Sequence, residues 1–288
     1  MTSGRSETPY TELDEANTKS GGRHLAQYRG GFPAGLTWLT ALEDDGAGLA
    51  VGVLRLPAGA EYAETAAGET AWLLMGGRVS VACGELRETF CRQSLFDQAP
   101  ACLHVAAGSI VRLVCLSDVE LTVYRCANRR PFLPRIRRDV PDEHRGRGLV
   151  DNVSYRLVRT ILDRQRAAPE AELVLGEVVT LPGRWAGYPP HRHPQPEIYH
   201  YRFDRPQGFG FAQNGDAVFQ VKSFDTVCFP GGVEHSQVAA PGYLMYFSWV
   251  IRHLPGQPYD HPEFSPDHAW ILEACGRGRY PAGAVDAG

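Results

Sequence analysis

The stretch GYPPHRHPQPEIYHYR, residues 187–202, gathers three histidines, three tyrosines and one glutamate around four prolines. In an extended chain, side chains at i and i+2 share a face, so His191 and His193 point to the same side without any need for a helix. Pro194 and Pro196 turn the chain before Glu197. The alternation then puts Glu197, Tyr199 and Tyr201 on one face and His200 and Arg202 on the other. Further along, FDTVCFPGGVEHS (224–236) supplies His235 after the tight turn that Pro230, Gly231 and Gly232 favour. One histidine alone in such a segment reads most simply as a satisfied core or surface residue. His191, His193, Glu197 and His235 together read as a site for one divalent transition ion (Zn, Mn, Fe, Co or Ni), since neutral imidazoles and a carboxylate suit that group of metals. The coordination positions left over would be open to water or substrate, as a catalytic site requires.

The strand reading extends outward over the whole chain. GLAVGVLRL, RVSVAC, IVRLVCL and VELTVYRC in the first half, and AELVLGEVVTL, GFGFAQ, AVFQVKSF and YLMYFSWVI in the second, are short, rich in β-branched residues and bounded by turn formers. Helical periodicity is scarce, with a short candidate at HAWILEACGR near the C-terminus. The halves also repeat in order. GVLRLPAG (52–59) parallels GEVVTLPG (176–183), GETAWLLMGG (68–77) parallels PEIYHYRFDR (196–205), SLFD (94–97) parallels KSFD (222–225), and VAAG (105–108) parallels FPGG (229–232). The expectation is an all-β chain of two tandem barrels from an internal duplication. Its parts would be an N-terminal extension (1–34), a first barrel (35–128), a charged, proline-bearing linker (129–150), a second barrel (151–255) and a C-terminal tail (256–288). Sliding one half onto the other sets Ala63, Thr65, Glu69 and Val111 opposite His191, His193, Glu197 and His235. The first barrel is therefore expected to be metal-free, with His104 structural.

Composition narrows the function classes. A formal charge of -4 and scattered arginines give no basic footprint for nucleic acid, and the ends carry no helix-turn-helix pattern. The only lysines are Lys19 and Lys222, a bias of composition rather than a site. No apolar run is long enough for a membrane span and the polar N-terminus lacks a signal-peptide core, so a cytoplasmic protein is expected. Seven cysteines without CxxC spacing read as reduced, mostly buried thiols.

HRHPQPE resembles the first cupin motif and PGGVEH the second, with His191, His193, Glu197 and His235 on the four metal positions. RGLVDNVSYRLVRTILD, LVLGEVVTLPGRWAGYPPHRH, EIYHYRFDRPQGFGF and PGYLMYFSWVI resemble the 5-deoxy-glucuronate isomerases of inositol catabolism, a bicupin family related to the 4-deoxy-uronate ketol isomerases. The spacing from His193 to Glu197 is shorter than that family's and closer to the general cupin pattern. The resemblance implies a metal-dependent aldose–ketose isomerase converting 5-deoxy-D-glucuronate to 5-dehydro-2-deoxy-D-gluconate. The base would come from Tyr201, Tyr246, Glu234 or Lys222, and Tyr199, Gln213 and Arg202 would contact a small sugar-acid substrate. Alternatives are an isomerase of a 4-deoxy-5-keto-uronate, an Fe(II) dioxygenase, and a non-catalytic sugar-acid-binding cupin. Exposed sheet edges make a homo-oligomer a further expectation.

Overall fold

The computed structural model describes residues 21–274; Lys19, Cys275 and the outer parts of the terminal segments lie outside them. The described chain is built almost entirely of strands, with three short 3-10 turns. One of these, Ala269–Leu272, stands where a C-terminal helix was expected.

Two sheets share one strand order. In the first half the order is Arg135–Arg137, Cys102–Val105, Glu69–Cys83, Val119–Cys126, Leu49–Leu56 and Gly35–Trp38. In the second half it is Arg23–Leu25, Thr226–Phe229, Glu197–Phe203, Met245–Arg252, Leu173–Thr180 and Arg156–Leu162, with Glu143–Arg145 added at the edge. A smaller sheet closes the second barrel: Ala217–Lys222, Phe209–Asn214, His235–Ala239, Trp185–Arg192 and Glu263–Phe264.

The edge strands run across the expected boundaries. Arg23–Leu25, from the N-terminal extension, pairs with Thr226–Phe229 of the second barrel, and Arg135–Arg137, from the linker, pairs with Cys102–Val105 of the first. The linker's other strand, Glu143–Arg145, joins Arg156–Leu162, and the tail's Glu263–Phe264 pairs with Trp185–Arg192. These segments are short, and apart from single apolar residues such as Leu25 and Ile136 they are held by backbone ladders. Hydrophobic patterning therefore did not mark them as strands.

Period-two alternation sorts the core into three layers. Trp72, Leu74, Val81, Phe90, Leu103 and Leu121 fill the first barrel. Tyr199, Tyr201, Phe219, Phe229 and Phe247 fill the second. The opposite faces of the two large sheets pack against each other through Val51, Leu73, Tyr124, Leu175, Ile198 and Val250. Buried polar pairs cross that layer: Arg92 meets Glu177 at 2.6 and 2.8 Å, and the Tyr124 hydroxyl donates to Ser248 at 2.6 Å. Of the six described cysteines, only Cys91 is exposed.

Glu69 shows what one residue of register does. It heads its strand as Glu197 does, yet its neighbours Ala71 and Leu73 face the layer between the barrels, whereas Tyr199 and Tyr201 face a barrel interior. Its carboxylate accepts from His104 (2.8 Å), Asn128 (2.7 Å) and the backbone amides of Glu172 and Leu173. Glu69 is therefore not the spatial counterpart of Glu197, because a slip of one position inverts a strand's faces.

Candidate metal and substrate site

His191 and His235 stand directly opposite each other on paired strands, and His193 follows just after the first strand ends. The loop that delivers His235 lies against the loop that carries His193: Gly232 N–H donates to the His193 carbonyl at 2.7 Å. Gly231 is required there, since a Cβ would sit 2.0 Å from the Pro194 carbonyl oxygen. Glu197 begins its strand on the other sheet, with its side chain turned into the barrel.

The three imidazoles are buried, and one ligand atom from each lies within 4.8 Å of the others. Each Nδ1 meets a backbone carbonyl: His191 to Gly187 at 3.0 Å, His193 to Gln195 at 2.8 Å, His235 to Val233 at 3.1 Å. A carbonyl only accepts, so each Nδ1 carries hydrogen, and the Nε2 of a neutral ring presents a lone pair. The Nε2 atoms of His193 and His235 stand 3.1 and 3.0 Å from Glu197 Oε2. Lone pairs facing a carboxylate oxygen at that distance repel unless a cation lies among them, and anchoring the second ring nitrogen is how proteins orient metal-binding histidines. The donor set thus fits a divalent ion.

Burial and the neighbouring His235 lower the His191 pKa to about 3, keeping that imidazole neutral. Burial alone would raise Glu197, but the His193 and His235 rings that face it outweigh that and hold the carboxyl at about 2. The result is an anionic carboxylate beside rings available as ligands.

A cavity of about 790 Å³ opens from His191, Glu197 and Tyr199 toward the barrel mouth. The tail forms part of its wall. Tyr259 lies with its ring 5.1 Å from that of His193, Phe264 lies 6.1 Å from His191, and Gln195 Nε2 donates to the Gln257 carbonyl at 2.7 Å. Burial and the nearby Glu197 push both phenols, Tyr199 and Tyr259, well above their ordinary pKa. Both are therefore neutral hydrogen-bond donors at physiological pH.

The other expected catalytic and binding residues lie elsewhere. The Tyr201 hydroxyl donates to Gln237 at 2.6 Å deep in the barrel. Tyr246 occupies the opposite face of its strand and donates to Glu177 at 2.7 Å between the barrels. Lys222 alternates outward from the buried Phe219 and Val221, and Glu234 is outside the cavity wall. Gln213 accepts from the Ser236 hydroxyl at 2.6 Å on the strand face opposite His235. Arg202 reaches the first barrel, pairing with Glu120 at 2.6 Å and stacking on Phe224 at 4.3 Å. For the strand residues, alternation turns the side chain out of the cavity or a tight internal hydrogen bond occupies it, and Glu234 sits in the loop just before His235.

Sequence reasoning missed Tyr259 and Phe264, and with them the cavity's arginines: Arg145, Arg156, Arg164 and Arg166. Their signal was the basic charge of the segment around residues 135–166, which points at the cavity only once Glu143–Arg145 pairs with Arg156–Leu162.

Two tandem β-barrels, one of them with three histidines at its mouth, define a cupin-type protein. A cupin 2 conserved barrel domain protein from Leptotrichia buccalis matches with a TM-score of 0.50 at 12% identity, over 80% of this chain and 96% of that one. The chain belongs to the KduI/IolB family, whose model matches residues 27–271, and it is an isomerase. A 5-deoxy-glucuronate isomerase of Geobacillus kaustophilus (strain HTA426) is 28% identical over 201 residues, covering 64% of this chain and 70% of the relative. The crystal structure of an iolb-like protein from Salmonella typhimurium lt2 superposes with a TM-score of 0.73 at 22% identity, over 84% of this chain and 97% of that one. No helix among the described residues is long and apolar enough to cross a membrane.

Proposed function

We propose that the protein is a cytoplasmic, metal-dependent aldose–ketose isomerase converting 5-deoxy-D-glucuronate to 5-dehydro-2-deoxy-D-gluconate in inositol catabolism. The observation that carries this reading is the set of three imidazoles, each fixed through Nδ1 by a backbone carbonyl, facing Glu197 at the floor of a cavity that also holds cationic side chains. The relatives named 5-deoxy-glucuronate isomerase supply the substrate.

His191, His193, His235 and Glu197 would hold the divalent ion, and such an ion acts as a Lewis acid on a carbonyl and its neighbouring hydroxyl, acidifying the carbon-bound proton between them. The chain's own residues position the sugar around it. Tyr199, beside Glu197, and Tyr259, beside His193, donate hydrogen bonds to sugar oxygens, because burial keeps both phenols protonated. Trp249 and Phe247 line the wall and limit water around the reacting carbons. The matching strand orders support an internal duplication in which only the second barrel carries the histidines.

The test is NMR of 5-deoxy-D-glucuronate incubated with the purified protein in deuterated water, alongside elemental analysis. We expect ketose formation with deuterium at carbon, loss of turnover after chelation, and recovery on adding one divalent ion. Turnover that survives complete metal removal refutes the metal-dependent reading. Oxygen consumption in place of isomerisation would establish dioxygenase chemistry instead.

A further inference from the structure

We propose that Arg156 is the group that receives the substrate's carboxylate, making the site selective for sugar acids over neutral sugars; the inference rests on the sugar-acid reading of the same cavity. Among the described residues four arginines line that cavity, and three of them are already paired with acids. Arg145 is bonded to Glu143, Arg164 to Asp260 at 2.8 Å, and Arg166 to Asp163. Arg156 has no carboxylate partner among the described residues; its guanidinium donates only to the backbone carbonyl of Ser154, at 2.8 Å.

Its position is also costly. Arg156 sits directly across the strand pair from Arg145, and like charges placed opposite each other destabilise a sheet. Burial and the facing Arg145 pull the Arg156 guanidinium down to about 10, well below its ordinary range. An arrangement that strains two cations at the wall of a cavity is relieved by an anion, and a planar fork of N–H donors matches a carboxylate bidentately. The fourth acid of the cavity, Glu197, is engaged by His193 and His235, so the chain itself leaves this cation to be answered by a ligand. The role that sequence reasoning assigned to Arg202 thus passes to an arginine on another strand.

The experiment compares 5-deoxy-D-glucuronate with 5-deoxy-D-glucose, which carries CH2OH in place of the carboxylate, as substrates of the metal-loaded wild type and of Arg156→Gln. We expect the acid's KM to rise on the order of 10- to 100-fold in the variant, the neutral sugar's KM to stay within about twofold, and bound metal to be unchanged. An unaltered acid-to-neutral preference in a folded Arg156→Gln overturns the assignment. A second measurement needs no variant: phenylglyoxal modification of the wild type, mapped by peptide mass spectrometry. Shielding of Arg156 by the acid and not by the neutral sugar supports the site, and equal modification with and without the acid overturns it. A wild type that converts no uronate while the acid still shields Arg156 would refute the isomerase reading and leave this anion site standing.

Discussion

Replacing Arg92 by Met tests how the two barrels are joined. Arg92 is buried and donates to the carbonyls of Leu74 (3.0 Å) and Gln98 (3.1 Å) and to both oxygens of Glu177 (2.6 and 2.8 Å). Methionine fills much of the same volume but removes all four bonds, leaving the Glu177 carboxylate with Tyr246 at 2.7 Å and Arg159 at 3.5 Å. Breaking one side of a buried ion pair costs about 3–5 kcal/mol. Because Arg159 compensates part of the orphaned charge, the lower end applies, about 3 kcal/mol. At roughly 2–4 °C per kcal/mol for a chain of this size class, Tm should fall by about 6–12 °C. The assay is guanidinium unfolding followed by tryptophan fluorescence, with calorimetry in parallel. Arg92→Met combined with Glu177→Gln removes the stranded charge and should recover about 1–2 kcal/mol of the loss. A loss below about 1 kcal/mol in the single variant, or a double variant no better than the single, would refute the view that this pair bears on barrel docking.

Other consequences are separately measurable. His191→Ala and His235→Ala should each abolish tightly bound metal and turnover while circular dichroism stays that of a β-protein; full metal occupancy in either variant would exclude these ligands. Tyr246→Phe removes one buried hydrogen bond, made to Glu177 on the adjacent strand of the same sheet, and should cost about 1 kcal/mol of stability while turnover persists; a dead but folded enzyme would place Tyr246 in the chemistry after all. Asp225 is predicted to shape the acid limb of stability. Burial by itself would raise its pKa, but ion pairs with Arg29 and His24 outweigh that and hold the carboxyl below the ordinary range. Its contribution is therefore complete above the unfolded-state pKa, near 4, and is lost as pH falls through the lower folded value. Asp225→Asn should be less stable than wild type at pH 7, with the gap narrowing below about pH 4; a gap independent of pH would show that charge is not what Asp225 contributes.

Much of the architecture was legible in residue order alone. Period two and turn chemistry mark the barrel strands, and the repeat of GVLRLPAG in GEVVTLPG finds equivalent strands in the two sheets, Leu49–Leu56 and Leu173–Thr180. The three histidines could be found for a local reason: i and i+2 in a strand share a face, and a Pro-Gly-Gly turn returns the chain close to where it left. The same alternation turned His200 and Arg202 away from that face, and their contacts with Thr226 and Glu120 agree.

What the sequence could not supply was everything that depends on which strands become neighbours. Tyr246 and Tyr201 are both buried tyrosines on strands of one sheet, yet one faces the other barrel and the other the barrel core, a difference set by register. Glu69 looked like a counterpart of Glu197 until one position of slip turned it toward His104. The linker and the tail carry too few apolar residues to announce themselves. Only the ladders they form bring Arg145 opposite Arg156, and only the tail's path brings Tyr259 against His193. Local side-chain periodicity thus determined the strands and the histidines. The cavity around them, with its charge and its phenols, was decided by backbone pairing between segments far apart in the chain, which leaves no periodic trace in either partner.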